Sequence, residues 1–177
     1  YADFVLQSRP DHMLASRTPL KVGAELFGEP ELSGDIEMIG LLMEALNALG
    51  LESVQLELGD VSIFRCLLDQ ANLDQAQQAE IFSLVQRKSH DALVEMTEEL
   101  KLPSKLARLI CELPRLSGDA AILDTATILV KDWPQIAVAI DNLVALSGAI
   151  KQRFPNVRLS FDLSELRGFE YHTGVVF

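Results

Sequence analysis

The sequence predicts an α+β fold in which an antiparallel sheet lies beside a long block of helices. Short segments near both ends of the chain alternate apolar and polar residues with the period of strands. Between them, residues 60–154 space their apolar side chains as helices do almost throughout. Because strands and helices are segregated along the chain, an antiparallel sheet with flanking helices is favoured over a doubly wound βαβ fold.

Each element is predicted from its periodicity and from the residues that bound it. Asp60, Asp74 and Asp132 stand where helices are expected to begin, and Gly50 and Pro114 where they are expected to end. The predicted elements, in chain order, are a strand at 1–6, a polar loop at 7–17, a half-buried strand at 18–27, a helix at 33–49, a strand at 53–58, helices at 61–71, 74–87, 89–100, 104–113, 119–129 and 132–154, and strands at 157–163 and 168–177. The first two strands are expected to form an antiparallel hairpin.

The positions of these elements predict two structural units. Residues 1–73 and 131–177 contain the expected strands and form a partial sheet domain. Residues 74–130 are predicted to be a helical insertion into that domain.

Charge and composition exclude several classes of function. The net charge is −11, and the stretch from Val22 to Phe64 contains nine acidic residues and no Lys or Arg, which argues against nucleic-acid binding. We expect no membrane association, since no apolar run approaches the ~20 residues of a membrane helix. Cys66 and Cys111 lie in apolar helical stretches without a CxxC pattern. They predict buried thiols in a reducing, cytoplasmic compartment, with no metal and no cofactor.

The most unusual stretch is Glu165–Phe177, which combines Arg, Glu, Tyr, His and Gly in a strand-like run. Strand alternation would place Arg167 and Tyr171 on one face and His172 on the other. The alternative is an ordinary edge strand with solvated charges.

A second candidate is Glu25, in the predicted strand 18–27. By alternation Lys21, Gly23 and Glu25 share one face, opposite Leu20 and the other apolar residues. Glu25 could line a pocket floored by the sheet, where Gly23 leaves room for a ligand, or it could simply face solvent.

Both stretches resemble motifs of the histidyl-tRNA synthetases, a class II synthetase family. Residues 167–177, RGFEYHTGVVF, resemble the histidine-binding signature RG(L/F)DYYTxTVF. Residues 17–28, RTPLKVGAELFG, resemble the second half of motif 2, RxFxQxGxExFG, and Asp35–Ile39 is similar to the DAExI that follows it. The resemblance covers nearly the whole chain and implies the class II antiparallel sheet. It also implies that this is the core of a longer protein, with motifs 1 and 3 outside it.

Three departures from the synthetase pattern change what the resemblance implies about function. Gln7 stands where the synthetases have the arginine that grips the ATP α-phosphate, and a neutral amide offers no charged fork to a phosphate. Lys21 replaces a glutamine, and His172 replaces the second tyrosine. The sequence is closer to the synthetase-like paralogue family, the regulatory subunits of short-form ATP phosphoribosyltransferase, whose members read close to VGAELxG and RGYxYHTGVVF.

The resemblance to the regulatory subunits implies a protein without a reaction of its own. Such a subunit forms a dimer and joins catalytic chains in a hetero-octamer. The catalytic chain requires it for activity and for feedback inhibition by histidine, at the first step of histidine biosynthesis. In the histidine site that this implies, Glu25 accepts a hydrogen bond from the imidazole, Tyr171 and His172 enclose the ring, and Arg167, assisted by Lys21, holds the carboxylate.

Two other functions remain open from the sequence. One is a divergent histidyl-tRNA synthetase fragment, which Gln7 and the acidic surface oppose. The other is an interaction module that keeps the fold without binding a ligand.

Overall fold

The structure, a computed structural model, describes residues 1–8, 14–51 and 53–177 and confirms the α+β fold. Residues 9–13, within the predicted loop at 7–17, and Glu52 lie outside the described residues. The elements are β1 (Ala2–Phe4), β2 (Leu20–Val22), α1 (Leu32–Ala48), β3 (Gln55–Asp60), α2 (Val61–Ala71), α3 (Gln75–Gln86), α4 (His90–Glu99), α5 (Ser104–Glu112), a 3-10 turn (Leu113–Arg115), β4 (Ser117–Gly118), α6 (Ala121–Leu129), α7 (Pro134–Arg153), β5 (Arg158–Asp162) and β6 (Val175–Val176).

The strands form an antiparallel hairpin and a separate four-stranded mixed sheet. β1 pairs with β2, as predicted, and the sheet has the order β4-β5-β3-β6. Its edge strands are antiparallel to their neighbours, but the central pair β3 and β5 is parallel, with Leu58 opposite Phe161. The helices between β3 and β5 form the long crossover that a parallel pair requires. The sheet is therefore mixed: it is antiparallel at both edges, as expected, and parallel at its centre.

The core lies between one face of this sheet and the helices. α7 packs against α1, α2 and β3, and α2 also packs against α5. Leu56 and Leu58 of β3 and Phe161 of β5 are buried in this core. Burial of each such side chain stabilises the fold by about 1.5–3 kcal/mol. Gln55 and Glu57 alternate with the leucines and are exposed, so the other face of the sheet is polar.

Two of the three predicted aspartate helix starts are confirmed. The Asp60 carboxylate accepts a hydrogen bond of 2.8 Å from the backbone N–H of Ser62 and caps α2. Asp74 and Gln77 form a capping box at the start of α3, with bonds of 2.9 and 3.0 Å. Asp132 does not cap α7, which begins at Pro134, because its carboxylate pairs instead with Lys105 of α5 at 2.6 Å.

The predicted strand 18–27 is shorter and more exposed than expected. Only Leu20–Val22 is a strand, and Leu20 and Val22 are 60% and 78% exposed. β2 pairs with β1 alone, and its pairing ends where the Gly23 N–H donates to the Tyr1 carbonyl. Within the described residues this two-stranded ribbon has no second layer over its apolar side chains, so the half-buried prediction is wrong.

The last predicted strand is also mostly wrong. Residues 167–171 form turns, residues 172–174 are not in a strand, and only Val175–Val176 pair, with β3. Gly168 has φ +68°, and its carbonyl accepts bonds from the N–H groups of Tyr171 (2.7 Å) and His172 (2.8 Å). These bonds close a turn where an extended strand was expected.

The predicted division into a sheet domain and a helical insertion at 74–130 stays a prediction. The segment contains α3–α6, in keeping with its helical pattern. It also contributes β4, whose Ser117 pairs with Asp162 of β5, so the segment completes one edge of the sheet.

Candidate functional site

The candidate site is built beside the polar face of the four-stranded sheet. Glu57 lies on β3 between two buried leucines, so the pleat directs its carboxylate away from the core. Its register partner on β5 is Ser160, whose Oγ accepts a bond of 3.1 Å from Gln55. Arg167 approaches Glu57 to 3.9 Å, so the chain that follows β5 lies beside this polar face.

Arg167 is held by carboxylates and keeps part of its guanidinium free. Its Nη2 lies 2.9 Å from Glu165 Oε2 and 3.9 Å from Glu57 Oε1, and its backbone N–H donates to Glu165 at 2.7 Å. The hydrogen bond and charge of Glu165 raise the pKa of Arg167. Among the described residues, Nε and Nη1 have no partner within hydrogen-bonding distance. Those N–H groups can face a ligand.

A cavity of 260 Å³ brings Arg167 and His172 together. Both side chains line it, with Glu165, Gly168 and Val175. Gly168 is required for this arrangement, because a Cβ there would overlap the His172 ring and φ +68° is strained for other residues. The alternation that placed Arg167 and His172 on opposite faces is wrong, since the turn rather than a strand joins them.

Arg65 and Phe169 hold this turn against the helices, and neither was singled out from the sequence. Arg65, on α2, donates from Nη2 to the carbonyls of Phe169 (2.6 Å) and His172 (3.0 Å). Phe169 turns inward and packs on Phe64 and Phe82. No sequence signal marks Arg65, because its two acceptors are backbone atoms 104 and 107 residues away.

Glu57 was not singled out from the sequence either, although the alternation that places it on the polar face of the sheet is visible there. The run Gln55–Leu58 alternates, so Glu57 is opposite the apolar face of its strand. An acidic residue on a sheet face is common, and only the contact with Arg167 distinguishes this one.

The other predicted site residues are exposed and do not line the cavity. Glu25 follows β2 in an exposed coil, and Lys21 lies on β2 opposite Asp3. Tyr171 is 87% exposed at the outside of the turn. The space expected beside Gly23 is taken by the ring of Tyr1, which a Cβ at position 23 would overlap. The structure thus joins Arg167 and His172, and leaves Glu25, Lys21 and Tyr171 apart from their cavity.

Gln7 follows β1 and is half-buried. Its backbone N–H donates to the Arg17 carbonyl at 2.8 Å, and with the bond from Val5 to the Pro19 carbonyl this extends the pairing of the hairpin beyond the two strands. Its side chain carries no charge, so this position cannot form an ion pair with a phosphate.

Two carboxylates near the end of β3 are removed from solvent, Asp60 almost fully and Asp35 in part. Burial raises the pKa of Asp60, against the opposing effect of its hydrogen bonds from Ser62. Burial also raises the pKa of Asp35 on α1, and the charge of Asp60 adds to the increase. Each is therefore easier to protonate than a solvated aspartate.

Two kinds of site have no counterpart in the part of the chain that the structure describes. No group of three or more His, Cys, Asp or Glu side chains is arranged to hold a metal ion. No described helix has the length and apolar character needed to cross a membrane.

Comparison with curated proteins identifies relatives across the whole chain. The chain is 43% identical to the ATP phosphoribosyltransferase regulatory subunit of Teredinibacter turnerae and 40% identical to that of Saccharophagus degradans. Each alignment covers 100% of this chain and 45% of the relative. The chain therefore spans a little under half the length of these curated relatives.

Solved structures share the fold. The ATP phosphoribosyl transferase (HisG:HisZ) complex from Thermotoga maritima contains a chain that matches with a TM-score of 0.66 and 19% identity, covering 100% of this chain and 60% of that one. An ATP phosphoribosyltransferase regulatory subunit/histidyl-tRNA synthetase from Bacillus halodurans matches with a TM-score of 0.69 and 22% identity, covering 84% of this chain and 39% of that one. The family model described as histidyl-tRNA synthetase matches residues 1–177. The chain therefore belongs to the histidyl-tRNA synthetase family.

Proposed function

We propose that this chain is the core of a regulatory subunit of short-form ATP phosphoribosyltransferase, without a reaction of its own. The catalytic chain would need it for activity and for feedback inhibition by histidine, at the first step of histidine biosynthesis. The observation that carries the proposal is identity of 37–43% over the full chain to proteins with that regulatory-subunit name. Gln7 supports the lack of catalysis, because it cannot replace a phosphate-binding arginine.

The proposed partners are the catalytic chain, in a hetero-octamer, and a second copy of this subunit. The similar Thermotoga maritima structure is a HisG:HisZ complex, which supports assembly with a second kind of chain. The hairpin exposes Phe4 and Val22, and Phe27 follows it at 84% exposure. Exposed apolar clusters favour burial by further chain or by another subunit. The cytoplasm is the proposed compartment, and the free thiols Cys66 and Cys111 are in keeping with it.

The proposed effector site uses the predicted residues with Arg167 at its centre. The Nε and Nη1 of Arg167 would bind the histidine carboxylate while Nη2 stays with Glu165. His172 would contact the ligand from the same cavity. Glu25 would accept the imidazole N–H, with Lys21 and Tyr171 completing the enclosure. The support for these three is motif resemblance and exposure, which leaves their polar atoms accessible.

Co-purification tests the proposal. The full-length protein and the short catalytic chain should elute as one complex from size-exclusion chromatography, and histidine should raise the melting temperature of that complex. The control is the catalytic chain alone with histidine. Separate elution, or histidine-dependent ATP–pyrophosphate exchange by this protein, would contradict the proposed role.

A further inference from the structure

Arg65 connects helix α2 to the turn that carries the candidate site. One nitrogen, Nη2, donates to two carbonyls of the turn, at 2.6 Å to Phe169 and 3.0 Å to His172. Its guanidinium carbon also lies 4.5 Å from the centroid of the Phe169 ring. The planar guanidinium can stack on the Phe169 ring while its Nη2 donates to both carbonyls; the ammonium of lysine could donate to the carbonyls but has no plane to stack on the ring.

Phe169 extends the connection from α2 to α3. Its ring meets Phe64 edge-on at 5.5 Å and Phe82 of α3 at 5.5 Å. Phe64 is fully buried, so the cluster belongs to the core. Two interactions thus hold the turn between Gly168 and His172: the hydrogen bonds from Arg65 to its carbonyls, and the packing of the Phe169 ring against Phe64 and Phe82.

A second contact joins the residues after α3 to the end of β5. Lys88, two residues after the end of α3, pairs with Asp162 at the end of β5 at 2.6 Å. Asp162 is 8% exposed and also accepts bonds from the N–H and hydroxyl of Ser164. The segment that begins three residues later at Glu165 leads directly to Arg167. Lys88 thus contacts the chain just before the site segment, while Arg65 and Phe82 contact the turn within it.

We infer that Arg65 is a positioning residue for the effector site, and that Phe82 makes α3 a determinant of effector affinity. The inference rests on the proposed function in that it takes histidine as the ligand. Arg65 fixes the carbonyls of Phe169 and His172, and this places the side chains of Arg167 and His172 around one cavity. Loss of the guanidinium releases the turn while the ligand-contacting side chains remain present.

The test compares Arg65→Met, Arg65→Lys and Phe82→Leu in the full-length protein bound to its catalytic chain. Calorimetric titration with histidine should show affinity reduced at least tenfold in Arg65→Met, and less in Arg65→Lys and Phe82→Leu. Leu123→Ala, a buried change on α6 away from the turn, is the control for general destabilisation. Leu123→Ala should keep an affinity for histidine within twofold of wild type, even where its melting temperature falls as far as that of Arg65→Met.

Hydrogen–deuterium exchange supplies a second readout that does not need the ligand. The amides of Tyr171 and His172, both bonded to Gly168, should exchange at least tenfold faster in Arg65→Met and not in Leu123→Ala. Affinity and exchange in Arg65→Met equal to those of wild type would overturn the inference. An equal loss of affinity in Leu123→Ala would also overturn it. Failure of the wild type to bind histidine would count against the proposed effector instead, and the exchange comparison would then decide the positioning role.

Discussion

Arg167 lies among carboxylates, and this determines what it offers a ligand. Glu165 and Glu57 together carry two negative charges against its single positive charge. In the proposed site, a ligand carboxylate would meet a guanidinium that Glu165 orients and partly neutralises, and a ligand ammonium group would meet the nearby acidic side chains. A free amino acid carries both a carboxylate and an ammonium group, so it would fit a site of mixed charge better than a simple anion would.

Glu25 is the acceptor proposed for the imidazole N–H of bound histidine, which gives a first prediction. Glu25 is exposed in this chain; where the complete subunit buries its bond to the imidazole, Glu25→Ala should weaken histidine binding by about 1–3 kcal/mol, the cost of leaving a desolvated N–H unpaired. Calorimetry of the full-length complex measures it, with Glu37→Ala, an exposed acidic position on α1, as the matched control. Equal affinities in Glu25→Ala and wild type would remove Glu25 from the site.

The second prediction concerns Gly168 and its unusual backbone. Gly168→Ala should destabilise the protein by about 1–3 kcal/mol, because φ +68° strains a residue with a Cβ and the His172 ring occupies the space. Gly148→Ala is the matched control, since its site in α7 has nothing within 4 Å and alanine should stabilise that helix by about 0.5–1 kcal/mol. Urea denaturation measures both. An unchanged free energy of unfolding in Gly168→Ala would contradict the positive φ and the tight turn at Gly168.

Helix α2 combines two tasks at its first and second turns. Asp60 begins it with a side-chain cap, and Phe64 and Arg65 hold the site turn. The cap is worth about 1 kcal/mol, but burial of its carboxylate opposes ionisation. The start of this helix is therefore sensitive to pH.

The third prediction follows from the raised pKa of Asp60. Because the folded-state pKa lies above the ordinary 3.8, the folded protein binds the proton more readily than the unfolded chain. Wild type should therefore gain stability relative to Asp60→Asn, which keeps a capping side chain, as pH falls from neutral through the raised pKa towards 3.8. Asp35 is present in both proteins, so only the increase in its pKa that comes from the Asp60 charge enters the difference, in the same direction. Denaturation of both proteins across this range measures the difference, and a pH-independent difference would refute the prediction.

The elements differ in how far the sequence determines them. Asp60 and Asp74 mark helix starts locally, because their caps bind residues two or three positions away. The parallel pairing of β3 with β5 depends on how the intervening helices pack, which no local pattern specifies. The turn at Gly168 depends on Arg65, more than 100 residues earlier, so alternation alone gave a strand there. The motifs therefore located Arg167 and His172, while their shared cavity required the structure.

Across the whole molecule, two surfaces are exposed: the candidate site around Arg167, and the apolar side chains of the β1–β2 hairpin. The chain spans 45% of its curated relatives, and its described residues leave Phe4, Val22 and Phe27 exposed. In the proposed assembly, these surfaces would be buried in the complete subunit. Histidine would act by favouring one arrangement of that assembly over another, which requires a difference in its affinity for the two.

The proposed regulatory role predicts how this protein changes phosphoribosyl transfer to ATP by the short catalytic chain. Its rate is measured alone, with the full-length protein, and with the protein plus histidine. We expect little activity from the catalytic chain alone, a clear increase when the protein is added, and loss of that increase with histidine. A catalytic chain that works equally well alone, or whose activity with the protein is unaffected by histidine, would contradict the proposed role.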